Sequence, residues 1–245
     1  MKQNTRKIEK EKKKLNKFII IALQISLFLS SSAFAVENSL LNKELNYQNH
    51  INEVGINLLN SNKIDKKIVF TYNKGEYKKT PDDSTISKRQ IIFYEDYFKY
   101  VENDDELAAF LAHQISRAVK SYSGEWGGFI ASAQIKAAPK KYEIFADKRA
   151  VDYMVKAGYN PLGLITYINK SQTNGFLDKI LFHNSPSKRQ AIIYEYIYYN
   201  YPYYLKNNIY LTNKNYQNFL LTSSSNRALL KEKIKSGSKK ELKYE

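Results

Sequence analysis

One stretch of this sequence predicts its fold: Asp105-Glu106-Leu107-Ala108-Ala109-Phe110-Leu111-Ala112-His113-Gln114-Ile115-Ser116-Arg117. We expect an α-helix here, capped at its N-terminus by Asp104 or Asp105. His113 and Arg117 are four residues apart, so they project from one face of that helix, and Gln114 lies beside His113. The side chains at these three positions are the first candidates for a functional site.

Two further blocks follow the first one along the chain. A second helix is predicted within residues 142–161, and Glu143 and Asp147 lie on one face of it. This spacing lets one carboxylate bind a metal ion while the other orients a metal ligand. The third block stands at the start of another predicted helix and runs His183-Asn184-Ser185-Pro186-Ser187-Lys188-Arg189.

Taken in order, the three blocks resemble those of zinc metallopeptidases of the HtpX and CAAX-prenyl-protease type. The pattern of that family runs D-E-L-A-A-V-L-A-H-E-x-x-H, then E-x-x-A-D with A-G-Y-D-P, then H-P-x-x-x-R. The resemblance covers residues 40–205. It implies an α+β fold, a mainly helical zincin-like metallopeptidase domain with a small β-sheet beside the active-site helix.

The resemblance also implies a role for each candidate residue. The zinc ligands of the family match His113, Arg117 and Glu143. Its catalytic glutamate matches Gln114, and the residue that supports a ligand histidine matches Asp147. Two ligand positions and the supporting carboxylate are therefore kept, whereas one ligand and the general base are changed.

The two changed positions predict that the usual hydrolysis is lost. A glutamine amide is not a base near neutral pH, so Gln114 cannot take a proton from a metal-bound water. The guanidinium of Arg117 stays protonated and offers no lone pair to a metal ion. No cofactor is therefore expected. The alternative is a rebuilt zinc site that uses His113, Glu143 and His183.

Two contacts are predicted in place of the metal. Arg117 is expected to pair with Glu143, with Asp147 as a second acceptor, and so to join the two helices; alternatively, it extends into solvent. His113 is expected to be buried and hydrogen-bonded to Asp147, and the alternative is that it binds a metal ion.

The N-terminus predicts export. Residues 1–17 are rich in lysine, residues 18–29 are apolar, and the segment ends in Ala33-Phe34-Ala35. This pattern is typical of a signal peptide that is cleaved after Ala35, which predicts a periplasmic or secreted protein. The alternative is an uncleaved anchor in the inner membrane, although a span needs about 20 apolar residues. With no cysteine in the chain, disulfides and a lipid-modified cysteine are excluded.

The remaining chain is expected to form one domain and a tail. Residues 36–205 are assigned to the metallopeptidase-like domain, with a helix over residues 39–60 and strands over residues 67–72 and 90–94. Residues 206–245 are expected to form a C-terminal helix and a basic, partly disordered tail, which would make at most a weak contact with an anionic membrane. Despite the net charge of +15, nucleic-acid binding is not expected in an exported protein.

Three functions remain open at this stage. The first is a non-catalytic pseudoprotease that binds an envelope protein or peptide in its groove. The second is an atypical zinc-dependent metalloendopeptidase with a rebuilt site. The third is a structural or membrane-associated module in which the tyrosine-rich segment after Arg189 and the basic tail make the contacts.

Overall fold

The computed structural model describes residues 41–75, 89–121, 138–171 and 184–244. The chain divides into two units, Met1–Tyr47 and Gln48–Glu245. Of the first unit, residues 41–47 are described, and they are helical. The predicted signal peptide and His183 lie outside the described residues.

The second unit is mostly helical and has a small parallel sheet, which agrees with the predicted α+β class. Its elements in chain order are α1 (48–61), β1 (Val69–Asn73), β2 (Gln90–Tyr94), a 3-10 helix (Glu95–Tyr100), α2 (Asp104–Ser121), α3 (Pro139–Lys156), α4 (Leu162–Ser171), α5 (Pro186–Asn200), α6 (Pro202–Lys206), a second 3-10 helix (Ile209–Thr212), α7 (Lys214–Thr222) and α8 (Ser224–Ser236). Within the described part of the chain, no helix is both long and apolar enough to cross a membrane.

The sheet consists of β1 and β2, which pair in parallel with Val69 opposite Gln90. Helix α1 holds β1 through Gln48, whose amide donates to the carbonyl of Phe70 at 3.0 Å and accepts the N–H of Tyr72 at 2.7 Å. The side chain of Gln48 thus holds the backbone of β1 against α1.

Helix α2 runs through the centre of the core. Six of its apolar side chains are almost fully buried: Leu107, Ala108, Ala109, Leu111, Ala112 and Ile115. Phe93 of β2 meets Phe110 edge to face, with the ring centroids 5.2 Å apart. This contact places the sheet beside the helix that carries His113, which is the arrangement that the sequence predicts.

The start of α2 differs from the prediction. The side-chain oxygen of Asn103 accepts the N–H of Glu106 at 3.0 Å, so Asn103 caps the helix and Asp104 is its first residue. Asp105 accepts instead the N–H of Asn160 and the hydroxyl of Tyr210, both at 2.8 Å. The expected cap by Asp104 or Asp105 is wrong, because both residues lie inside the first turn of α2, after the capping Asn103.

Helix α4 packs tightly against the first turn of α2. A Cβ atom on Gly163 would lie 2.7 Å from the Cβ of Asp105 and 2.8 Å from its carbonyl carbon. Beside this contact, the fully buried Glu106 accepts hydrogen bonds from Thr166 and Lys170, both at 2.7 Å. Gly163 therefore allows α4 to lie close to α2, and the buried ion pair of Lys170 with Glu106 stabilises this contact.

Candidate functional site

Helices α2 and α3 bring His113 and Asp147 together. The Nδ1 atom of His113 lies 2.8 Å from Oδ1 of Asp147, and this is the predicted hydrogen bond. Asp147 is 1% exposed, and Ala146 and Ala150 beside it are also buried. The small alanines keep α3 close enough to α2 for the carboxylate to reach the imidazole.

Arg189 completes the cluster from helix α5. Its Nε and Nη2 atoms donate to Oδ2 and Oδ1 of Asp147 at 2.8 and 2.6 Å, which is a bidentate pair. Its third nitrogen, Nη1, lies 3.1 Å from Oε1 of Glu143. At 4% exposure, Arg189 is itself buried. One guanidinium therefore joins both carboxylates of α3 to α5.

The start of α5 places this arginine. Ser185 caps the helix by accepting the N–H of Lys188 at 3.2 Å, and Pro186 occupies its first position. Asn184, just before the cap, donates its backbone N–H to Oε2 of Glu143 at 2.9 Å and its side-chain amide to the carbonyl of Lys140 at 2.7 Å. These hydrogen bonds of Asn184 attach the segment before α5 to α3, next to the guanidinium of Arg189.

The electrostatics of the cluster favour an ionised Asp147 and a neutral His113. Burial alone would raise the pKa of Asp147, but the charge and hydrogen bonds of Arg189, together with the hydrogen bond from His113, lower that pKa below its usual value. Burial lowers the pKa of His113 in spite of Asp147, and the positive charges of Arg189 and Arg117 lower it further. A neutral imidazole beside a carboxylate carries its proton on Nδ1, so the lone pair of His113 is on Nε2.

The arginine that contacts Asp147 is Arg189, which joins α3 to α5 and not α2 to α3. Arg117 is half-buried on α2, where its charge acts on His113; its pairing with Glu143 stays a prediction. No role was predicted for Arg189, the last residue of the third block. The signal was present, because an arginine ends that block in the resembled pattern.

The residues at this site do not fit a zinc ion. Both oxygens of Glu143 already face protein donors, Oε1 the guanidinium of Arg189 and Oε2 the backbone of Asn184. Gln114 cannot act as a general base, and the guanidinium of Arg117 offers no lone pair to a metal ion. Over the described ranges, no group of three or more His, Asp or Glu side chains is arranged to hold a metal. His183, the third ligand of the alternative site, lies outside these ranges.

Comparison of the chain with protein-family models, with curated proteins and with solved structures finds no match. The resemblance to zinc metallopeptidases therefore depends on the three sequence blocks alone.

Proposed function

We propose that this chain is a zincin-like scaffold that has lost peptide hydrolysis and acts in the cell envelope by binding a protein or peptide. One observation carries the proposal: Arg189 engages both Asp147 and Glu143, the two carboxylates of the zinc-type block. The resembled pattern has an arginine here as well as its zinc ligands, so the pairing supports the proposal together with the changes at Gln114 and Arg117. With no base and no second histidine on α2, the guanidinium is left to balance the buried carboxylates. The fold then keeps its helices together without a metal.

The chemistry that remains also favours binding over catalysis. Of the two ring nitrogens of His113, Nδ1 faces Asp147, so Nε2 carries the imidazole lone pair that remains for another partner. Gln114 stands where the resembled pattern has its general base, and an amide cannot fill that role. A protein that binds an extended peptide without cleaving it needs neither a metal ligand nor a general base.

The test combines a metal measurement with a binding measurement on chain purified from the cells that export it, after N-terminal sequencing to locate the processed end. The chain is exposed to one equivalent of zinc, desalted and analysed by mass spectrometry. We expect no retained zinc. In parallel, fluorescein-labelled casein serves as an unstructured protein ligand, and we expect binding without cleavage.

A restored variant provides the positive control. In Gln114→Glu/Arg117→His the chain regains the letters of the resembled motif, with two histidines and Glu143 as ligands, and loses the charge of Arg117. We expect it to retain zinc, because the single contact of Arg189 with Glu143 can be exchanged for a metal bond while its bidentate pair with Asp147 stays.

The outcomes separate the three functions. Casein cleavage by the unsubstituted chain, stopped by a chelator and by His113→Ala, would establish the atypical metalloendopeptidase. Neither binding nor cleavage would favour the structural or membrane-associated module. If the restored variant folds but retains no zinc, the resemblance to a zincin scaffold is itself refuted.

A further inference from the structure

The end of the chain is folded back onto helix α5. The carboxylate of Glu195, on α5, accepts a hydrogen bond from Nζ of Lys233 at 2.7 Å through Oε1 and one from the hydroxyl of Tyr244 at 2.9 Å through Oε2. Tyr244 is 5% exposed. Helix α8 stops at Gly237, whose φ of 61° lies in the left-handed region. Because Lys233 and Tyr244 reach the same carboxylate, the segment between them turns back towards α5.

The attached part of the chain, helix α8 and the segment after it, is rich in exposed lysines. Where the sequence predicted a partly disordered tail, the structure gives an attached segment whose cationic side chains are exposed. We call five of them the lysine surface: Lys231, Lys235, Lys239, Lys240 and Lys243. Over residues 224–244, seven basic residues stand against two acidic ones. The surface is thus strongly cationic and is held in place by Glu195.

Exposed tyrosines adjoin the lysine surface. Tyr198 and Tyr199 are 36% and 51% exposed, and their ring centroids lie 5.3 Å apart. Nζ of Lys233 lies 5.7 Å from the centre of the Tyr199 ring, which puts these rings next to the Glu195 attachment. Tyrosine combines an apolar ring with a polar tip, and it is enriched at the level of lipid headgroups.

We propose that the lysine surface, with Tyr198 and Tyr199, binds the face of a bilayer that contains anionic phospholipids. Lysines near such a surface are attracted to it individually, and their hydrated point charges suit a diffuse layer of headgroups. Nucleic-acid phosphate is recognised more often by the planar fork of arginine. The one arginine of this region, Arg227, instead donates to the carbonyl of Leu220. The chemistry therefore favours lipid over nucleic acid.

The test is sedimentation with vesicles, using chain purified from the exporting cells. Vesicles of phosphatidylcholine with phosphatidylglycerol are compared with vesicles of phosphatidylcholine alone. The test variant is Lys235→Gln/Lys239→Gln/Lys240→Gln. The matched control, Lys63→Gln/Lys66→Gln/Lys67→Gln, removes the same charge from exposed lysines after α1. All variants share one N-terminus, so its contribution cancels in the ratio of partition coefficients.

We expect about fivefold weaker partitioning for each lysine lost, hence about a hundredfold for the test variant, and little change for the control. Binding should weaken as salt rises and should be absent with phosphatidylcholine alone. Tyr198→Ser/Tyr199→Ser should also weaken binding, and this loss of binding should be as large at high salt as at low salt. Equal losses in test and control variants would overturn the proposal. So would partitioning that ignores lipid charge, or equally tight binding to a DNA duplex.

Discussion

Replacing Arg189 by methionine should strongly destabilise the protein. The substitution removes two hydrogen bonds to Asp147 and one contact with Glu143, and it leaves a carboxylate that is 1% exposed without its counter-charge. Removing one partner of a buried ion pair costs about 3–5 kcal/mol. That is a large share of the roughly 5–15 kcal/mol by which domains are stable.

Urea unfolding at pH 7, followed by circular dichroism, measures this effect. With a slope of about 2–3 kcal/mol per molar, the transition midpoint should fall by roughly 1–2 M. Arg149→Met is the matched control, because Arg149 is an exposed arginine on α3, and it should change stability by about 0.5 kcal/mol at most. A third variant, Arg189→Met/Asp147→Asn/Glu143→Gln, removes the uncompensated charges and should recover a large part of the loss.

The reasoning has a clear point of failure. If Arg189→Met and Arg149→Met unfold at the same urea concentration, the buried cluster is not an important source of stability. If the triple variant is as unstable as Arg189→Met, the cost comes from lost packing of the arginine stem and not from unpaired carboxylates. In either case the guanidinium would not replace a metal ion in holding the helices together.

Three further changes test other parts of the structure. Burial lowers the pKa of His113 in the folded chain below 6.5, so the unfolded chain binds more protons than the folded chain below that pH. The free energy of unfolding should therefore fall as the solution is acidified from pH 6.5. In unfolding curves from pH 7 to 5, His113→Gln should make this dependence of stability on pH less steep. Gly163→Ala should cost about 1–3 kcal/mol by crowding Asp105, and a calorimetric transition unchanged from the parent would contradict that contact. Tyr244→Phe should cost about 1 kcal/mol and speed hydrogen exchange in residues 237–244, because it removes the hydroxyl from Glu195, and unaltered exchange would show that the segment is held by other contacts.

The sequence predicts part of the candidate site because part of it depends on local spacing. His113 and Asp147 each lie on a helix that its own block predicts, and the packing of α2 on α3 brings the two side chains into contact. The two strands beside α2 also agree with the prediction, although the bounds of β1 differ by a residue or two; their parallel pairing was not predicted.

What the sequence did not reveal depends on contacts between distant segments. Two arginines, Arg117 and Arg189, could each complement the carboxylates of α3, and the choice between them at Asp147 is made by the packing of α5 on α3. Asp105, which was expected to be a possible cap, accepts from Asn160 and Tyr210, and these lie far along the chain. Such competition for a side chain is visible only once the helices are assembled.

The three-way contact of Arg189 with Asp147 and Glu143 also constrains how this sequence can drift. A neutralising mutation at any one of these positions leaves a buried charge without its partner, whereas simultaneous changes can remove the unpaired charge. In a mutational scan the three codons should therefore tolerate few single exchanges but accept selected combinations. Closely related proteins are expected to differ here in concert, so that positions 143, 147 and 189 evolve as one epistatic unit.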